Sequence, residues 1–306
     1  MTGIPSALTA RIEVHPIPSQ SLTDQQFLAG AKDGKPVTIA GELRVPTGIA
    51  PFPAVVLVHG SGGIGSNVSQ WAEAFLENGI APFLLDCFAG RGISSTINDQ
   101  SQLDNLTLIF DAYRALETLL KIPLIDPKRI ALMGFSKGGF AALYASLRRF
   151  QKYYAPPGAE FAAYIPFYPR GDIRFDGDDD VSERPIRLYH GEADDWIPVA
   201  PTRAYAERLQ SAGRDVRITT FPGARHSFDS PTYPESFIFP EAEVSTTCRL
   251  AEKGGFIVNL DTGKPFSHQD ACIRRGASVG YHAAATARAR EDVLKFLTGL
   301  FAISKQ

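Results

Sequence analysis

Between Pro53 and Phe221, short uninterrupted apolar runs alternate with segments of helical period, and few architectures tolerate that pattern. Ala54-Val55-Val56-Leu57-Val58 has no polar member, as a strand buried on both faces requires. Residues 80–85, 130–133, 161–167, 186–189 and 216–221 read as further strands, the last of them ending the series. Residues 69–77, 106–120, 139–147 and 202–210 read as the intervening helices, and 283–297 as a final one. In 106–120, Leu106, Ile109, Phe110, Tyr113, Leu116 and Leu120 share one broad face. Such alternation implies parallel strands joined by right-handed crossovers, with helices on both faces of the sheet. Ahead of it, residues 11–15 and 37–44 alternate near period two and suit an added antiparallel edge. No repeat, low-complexity tract or linker divides the chain, so residues 1–306 are expected to form one α/β domain.

Charge and composition exclude several classes. The formal net charge is -2, which gives no field to recruit nucleic acid or an anionic membrane. No run of 18 apolar residues suggests a membrane span. The first residues lack a basic stretch followed by an apolar one, so a cytoplasmic location is the expectation, or a secreted or periplasmic one if a leader has been removed. Cys87, Cys248 and Cys272 include no Cys-x-x-Cys pair, which argues against a zinc ribbon or a thioredoxin-type site.

The most informative segment is Gly134-Phe135-Ser136-Lys137-Gly138, a G-x-S-x-G sequence between a buried strand and a helical pattern. There a serine sits in a sharp turn, and the flanking glycines let neighbouring backbone pass close by. Its hydroxyl is displayed at the carboxyl end of the sheet, where the helix N-terminus favours developing negative charge.

A serine hydroxyl needs a base. Of the six histidines, His226, in Pro222-Gly223-Ala224-Arg225-His226, lies on a glycine-containing loop just past a strand and is the candidate. His282 reads as a helix-start residue, His268 lies in a polar loop, and His190 is expected to pack at a strand end. In the strand-turn-helix setting of such a serine, an orienting acid should fall between nucleophile and histidine along the chain. Gly191-Glu192-Ala193-Asp194-Asp195 supplies it: Asp194, three residues after Gly191, with Asp195 as the alternative. An oxyanion would need two N–H donors. They are expected from Lys137 and from Ser61, or Gly62, in His59-Gly60-Ser61-Gly62-Gly63. That loop lacks the spacing of nucleotide-binding glycine motifs.

Together, these four motifs in this order resemble the dienelactone hydrolase family of the α/β-hydrolase superfamily, over roughly residues 37–229. The resemblance implies an α/β-hydrolase fold and hydrolysis of a small-molecule carboxylic ester or lactone, with Ser136, His226 and Asp194 as the triad and neither metal nor organic cofactor. Use of the same triad on a peptide or thioester, acyl transfer to an alcohol, and a non-catalytic binding role are the alternatives. Two departures stand out. The hydrolases that name the family carry cysteine as nucleophile where this chain has Ser136, which leaves the dienelactone substrate open. Residues 230–280 separate the histidine from the last helix, as either a cap over the site or a structural wrap, and Cys248 and Cys272 within them are candidates for a disulfide.

Other residues invite two readings. Cys87 and Phe88, just after a strand, line the pocket or are buried; Trp196 walls the pocket or packs beneath its loop. Arg91 is read as a surface group, with a substrate carboxylate as the alternative partner. Asp176-Gly177-Asp178-Asp179-Asp180 lacks the spacing of a calcium loop and reads as a solvated turn.

Overall fold

The computed structural model describes residues 9–233 and 235–303. Its centre is an eight-stranded sheet: β1 (Thr9–Ser21), β2 (Lys35–Pro46), β3 (Phe52–Val58), β4 (Ala81–Asp86), β5 (Ile125–Phe135), β6 (Tyr164–Phe167), β7 (Ile186–Gly191) and β8 (Val216–Phe221). The spatial order is β1-β2-β4-β3-β5-β6-β7-β8. β1 and β2 are antiparallel, β2 meets β4 antiparallel, and every pairing from β4 to β8 is parallel.

The apolar run of β3 is explained by its two faces. Ala54, Val56 and Val58 join one core, with the helices α3 (Asn105–Leu119), α4 (Lys137–Tyr144), α5 (Arg148–Tyr154) and α6 (Val199–Ser211). Val55 and Leu57 join the other, against α2 (Ser66–Glu77) and α7 (Ala283–Leu300). A short α1 (Asp24–Leu28) precedes β2, with Thr23 closing a capping box on Gln26. The helix expected over 139–147 is α4, which starts at Lys137 and ends at Tyr144; Leu147 is extended and opens the separate helix α5.

Arg91 is not a surface group. Its guanidinium is almost wholly buried and grips both Asp111 carboxylate oxygens, at 2.7 and 3.0 Å. It also donates to the Cys87 and Gln20 carbonyls and to Ser21 Oγ, tying β1 to α3. Replacing it leaves a buried carboxylate unpaired. Arg91→Met is expected to lower the unfolding free energy by about 3–5 kcal/mol, read from urea titrations. A loss under about 1 kcal/mol would contradict this pairing.

The expectation that 216–221 ends the strand series is also corrected. Five more strands follow: β9 (Phe237–Val244), β10 (Leu250–Lys253), β11 (Phe256–Asn259), β12 (Lys264–Pro265) and β13 (Arg274–Val279). β9 pairs with β13, and β10 to β12 form a small antiparallel sheet. Their period is hard to read because β10 to β12 are short and β9 is unevenly covered, mostly open over its first five residues and buried over its last three. A disulfide joins Cys248 to Cys272, 24 positions apart, and Cys87 is free and buried. Closing a loop of that size constrains the unfolded chain, so Cys272→Ser should cost ~3 kcal/mol of stability, and the reduced wild type should match the variant. Equal denaturation midpoints for oxidised wild type and variant would count against this.

In the Asp176 to Asp180 turn, Asp178 alone is buried, where Arg208 holds both its oxygens. Among the described residues, no group of three or more His, Cys, Asp or Glu side chains is suited to a metal ion, and no helix is long and apolar enough to cross a membrane.

Candidate active site

The three side chains singled out on separate loops converge at the carboxyl end of the parallel strands. Ser136 caps α4 with φ 53°, ψ -112°, a positive φ forced by the sharp passage from β5 into the helix. The flanking glycines are required by crowding. A Cβ at Gly134 would run into the Gly138 carbonyl, and one at Gly138 into the Val58 carbonyl. The Ser136 amide donates to the Phe167 carbonyl on the next strand, which fixes the turn.

Ser136 Oγ lies 2.8 Å from His226 Nε2, and His226 Nδ1 lies 2.8 Å from Asp194 Oδ2. An ionised carboxylate only accepts, so Nδ1 carries the proton and Nε2 faces the serine as an acceptor. The other oxygen of Asp194 accepts from the Trp196 and Ile197 amides. Burial alone would raise the Asp194 carboxyl, but the facing His226 ring and the contacts from His190 and His226 outweigh it and hold it at about 2. His190, buried at the end of β7, donates from Nε2 to the Ile197 carbonyl. Asp195 is placed elsewhere: it accepts from the amide and hydroxyl of Ser278 on β13. His282 caps α7, accepting from the Ala285 amide.

The loop after β3 also comes close to the serine. A Cβ at Gly60 would stand 3.3 Å from Ser136 Cβ. His59, fully buried, holds this loop: its Nδ1 donates to the Gly60 carbonyl and its Nε2 accepts from the Cys87 amide. Burial lowers its pKa, so the ring is neutral. The Ser61 carbonyl is engaged by the Thr96 amide, and Ser61 Oγ lies 3.0 Å from Gln100 Nε2. Lys137, first residue of α4, turns its buried side chain away to the Leu103 carbonyl and Gln100 Oε1. Burial lowers its ammonium to about 8, against the upward pull of Asp24, Asp104 and Glu243.

Two clefts meet at Ser136, and Ser61 and Trp196 line both. Trp196 is therefore a wall residue, held by its indole N–H on the Glu243 carbonyl. Cys87 and Phe88 line neither cleft. Both are buried beneath the loop, with Phe88 packed edge-on against His59, because the chain after β4 turns into the core and not toward the serine. Residues 230–280 reach the site: Tyr233, Phe239 and Val279 line one cleft, Glu243, Thr246 and His268 the other. Sequence reasoning missed Gln100 and Glu243, which stand behind the Ser61 loop, and Tyr168, whose ring packs 4.8 Å from that of His226. No local motif marks them.

An eight-stranded, mostly parallel sheet with a serine at a strand–helix elbow defines an α/β-hydrolase fold. The sequence pattern of the Dienelactone hydrolase family matches residues 39–301, and the chain belongs to that family. A Synechocystis sp. protein assigned as a carboxymethylenebutenolidase is 23% identical over 202 residues, covering 62% of this chain and 81% of that one. A Klebsiella pneumoniae protein assigned as a dienelactone hydrolase superposes with a TM-score of 0.62 at 13% identity, over 94% of this chain and 99% of that one. Thermogutta terrifontis esterase 2, in a form phosphorylated by paraoxon, gives 0.56 at 17% identity, over 88% of this chain and 92% of that one.

Proposed function

We propose that the protein is a serine hydrolase of carboxylic esters or lactones that works through an acyl-enzyme on Ser136. The observation that carries this reading is the unbroken chain Asp194–His226–Ser136, with both links at 2.8 Å. As Oγ attacks the ester carbonyl, His226 Nε2 takes its proton. Asp194 keeps the ring in the required tautomer and stabilises the imidazolium. The oxyanion accepts from the backbone amides of Lys137, at the helix N-terminus, and of Ser61. His226 then gives its proton to the leaving alkoxide. Water, deprotonated by the same nitrogen, releases the acid and regenerates Ser136. Side chains and backbone amides of this chain supply every group in the scheme, and neither metal nor organic cofactor takes part.

A substrate panel tests the reading: p-nitrophenyl esters of increasing acyl length, a lactone, a thioester and a peptide amide, each with and without an acceptor alcohol. Hydrolysis of esters or the lactone well above the amide and thioester is the expected result. Preferential cleavage of the amide or thioester, capture of the acyl group by the alcohol, or tight binding without turnover would replace it with one of the other readings.

A further inference from the structure

The two clefts that meet at Ser136 differ in chemistry, and only one holds the histidine. His226, Ser227 and Tyr168 line the first. On the reading above, His226 Nε2 must reach the leaving oxygen to protonate it. The alcohol half of an ester therefore lies in the cleft with His226. The acyl half, with its oxyanion at Lys137 and Ser61, is left with the cleft that lacks it.

The alcohol cleft is aromatic. Trp196 stands 5.1 Å from the His226 ring and 6.2 Å from Phe239. Tyr233 continues the series edge-on at 5.6 Å, and Phe237, half exposed, stacks on Tyr233 at the rim. Rings offered both edge-on and face-on favour an aromatic guest over a saturated one of equal size.

The acyl cleft carries both signs of charge, each held by a neighbouring group, beside an apolar wall that includes Phe140, Ile173 and Phe266. Arg170 is held by Asp172 at 2.6 and 2.9 Å and by Ser245 at 2.7 Å. Glu243 accepts from His268 Nδ1 and from the Gln100 amide. Lys137 Nζ donates to the Leu103 carbonyl. A substrate carboxylate would face Asp104 and Glu243, beside an Asp24 carboxyl that burial and Asp104 raise to about 7, and a substrate ammonium would face Lys137 and Arg170. Neutral hydroxyls avoid both conflicts, because they donate to the carboxylates and accept from the Gln100 side-chain amide.

We propose, resting on the serine hydrolase reading, that the substrate is an aryl ester of a hydroxylated, uncharged acid, with the acid bound on the Glu243 side and the aryl group on the Phe239 side. The test uses phenyl esters of glyceric, butyric and succinic acids, plus cyclohexyl glycerate. Each kcat/KM is divided by that ester's hydroxide-catalysed rate, so that intrinsic reactivity cancels. Phenyl glycerate should exceed phenyl butyrate, phenyl succinate and cyclohexyl glycerate, each by roughly tenfold or more. Phe239→Ala should shrink the phenyl-to-cyclohexyl ratio and leave the glycerate-to-butyrate ratio in place. Glu243→Gln should raise succinate relative to glycerate by roughly tenfold. Ser136-dependent turnover with butyrate or succinate equal to glycerate, or with no phenyl preference, would overturn the assignment of the clefts and leave the serine hydrolase reading standing. Turnover that persists in Ser136→Ala, or no turnover of any ester, would remove that reading and this inference with it.

Discussion

Ser136→Ala is expected to lose kcat on the best ester by on the order of 10⁴-fold or more, with little change in stability. The exchange deletes one oxygen and leaves the Ser136 amide free to keep its bond to the Phe167 carbonyl. His226 and Asp194 stay paired with each other, so the fold carries no new buried charge. What disappears is the atom that would bond to the carbonyl carbon. Rates from purified protein, with far-ultraviolet dichroism and a melting curve to show an intact fold, make the measurement. A variant that keeps most of its kcat would mean that another group attacks, and the mechanism would have to be rebuilt around it.

Asp194→Asn should be nearly as costly, by roughly 10⁴-fold in kcat, because an amide that donates to Nδ1 forces the proton onto Nε2 and leaves no acceptor for the serine. Asp195→Asn should stay within a few-fold of wild type, since Asp195 bonds to Ser278 and not to the histidine. The same substitution has a pH signature. The Asp194 carboxyl is held at about 2 in the fold, below its ordinary 3.8. A depressed carboxyl stabilises the native state above the unfolded value, and that contribution is lost as pH falls through the folded one. Wild type should therefore lose on the order of 2 kcal/mol between about pH 4 and pH 2 that Asp194→Asn does not lose. Parallel acid-unfolding curves for the two proteins would contradict the placement of this carboxylate.

How far the sequence could be read depended on how local each signal was. The buried strands announce themselves within five or six residues, as at Ala54 to Val58, because each is covered on both faces. The elbow at Ser136, the acid turn after Gly191 and the histidine loop after β8 each occupy a few consecutive positions, and their order along the chain is set by strand order. Signals that depend on distant partners were not legible. Gln100 and Glu243 are 143 residues apart and meet only because β9 folds back over the loop after β4. Arg91 looks like any loop arginine until α3 brings Asp111 beneath it. The choice between Asp194 and Asp195 turns on which way two adjacent side chains point, which periodicity does not report.

The most direct test of the central claim is covalent titration with paraoxon, followed by peptide mapping. Activity is expected to fall in step with the addition of a single diethylphosphoryl group, found on the peptide that carries Ser136 and absent from Ser136→Ala. Inactivation with the adduct on Cys87 or any other residue, or full activity with Ser136 modified, would contradict it.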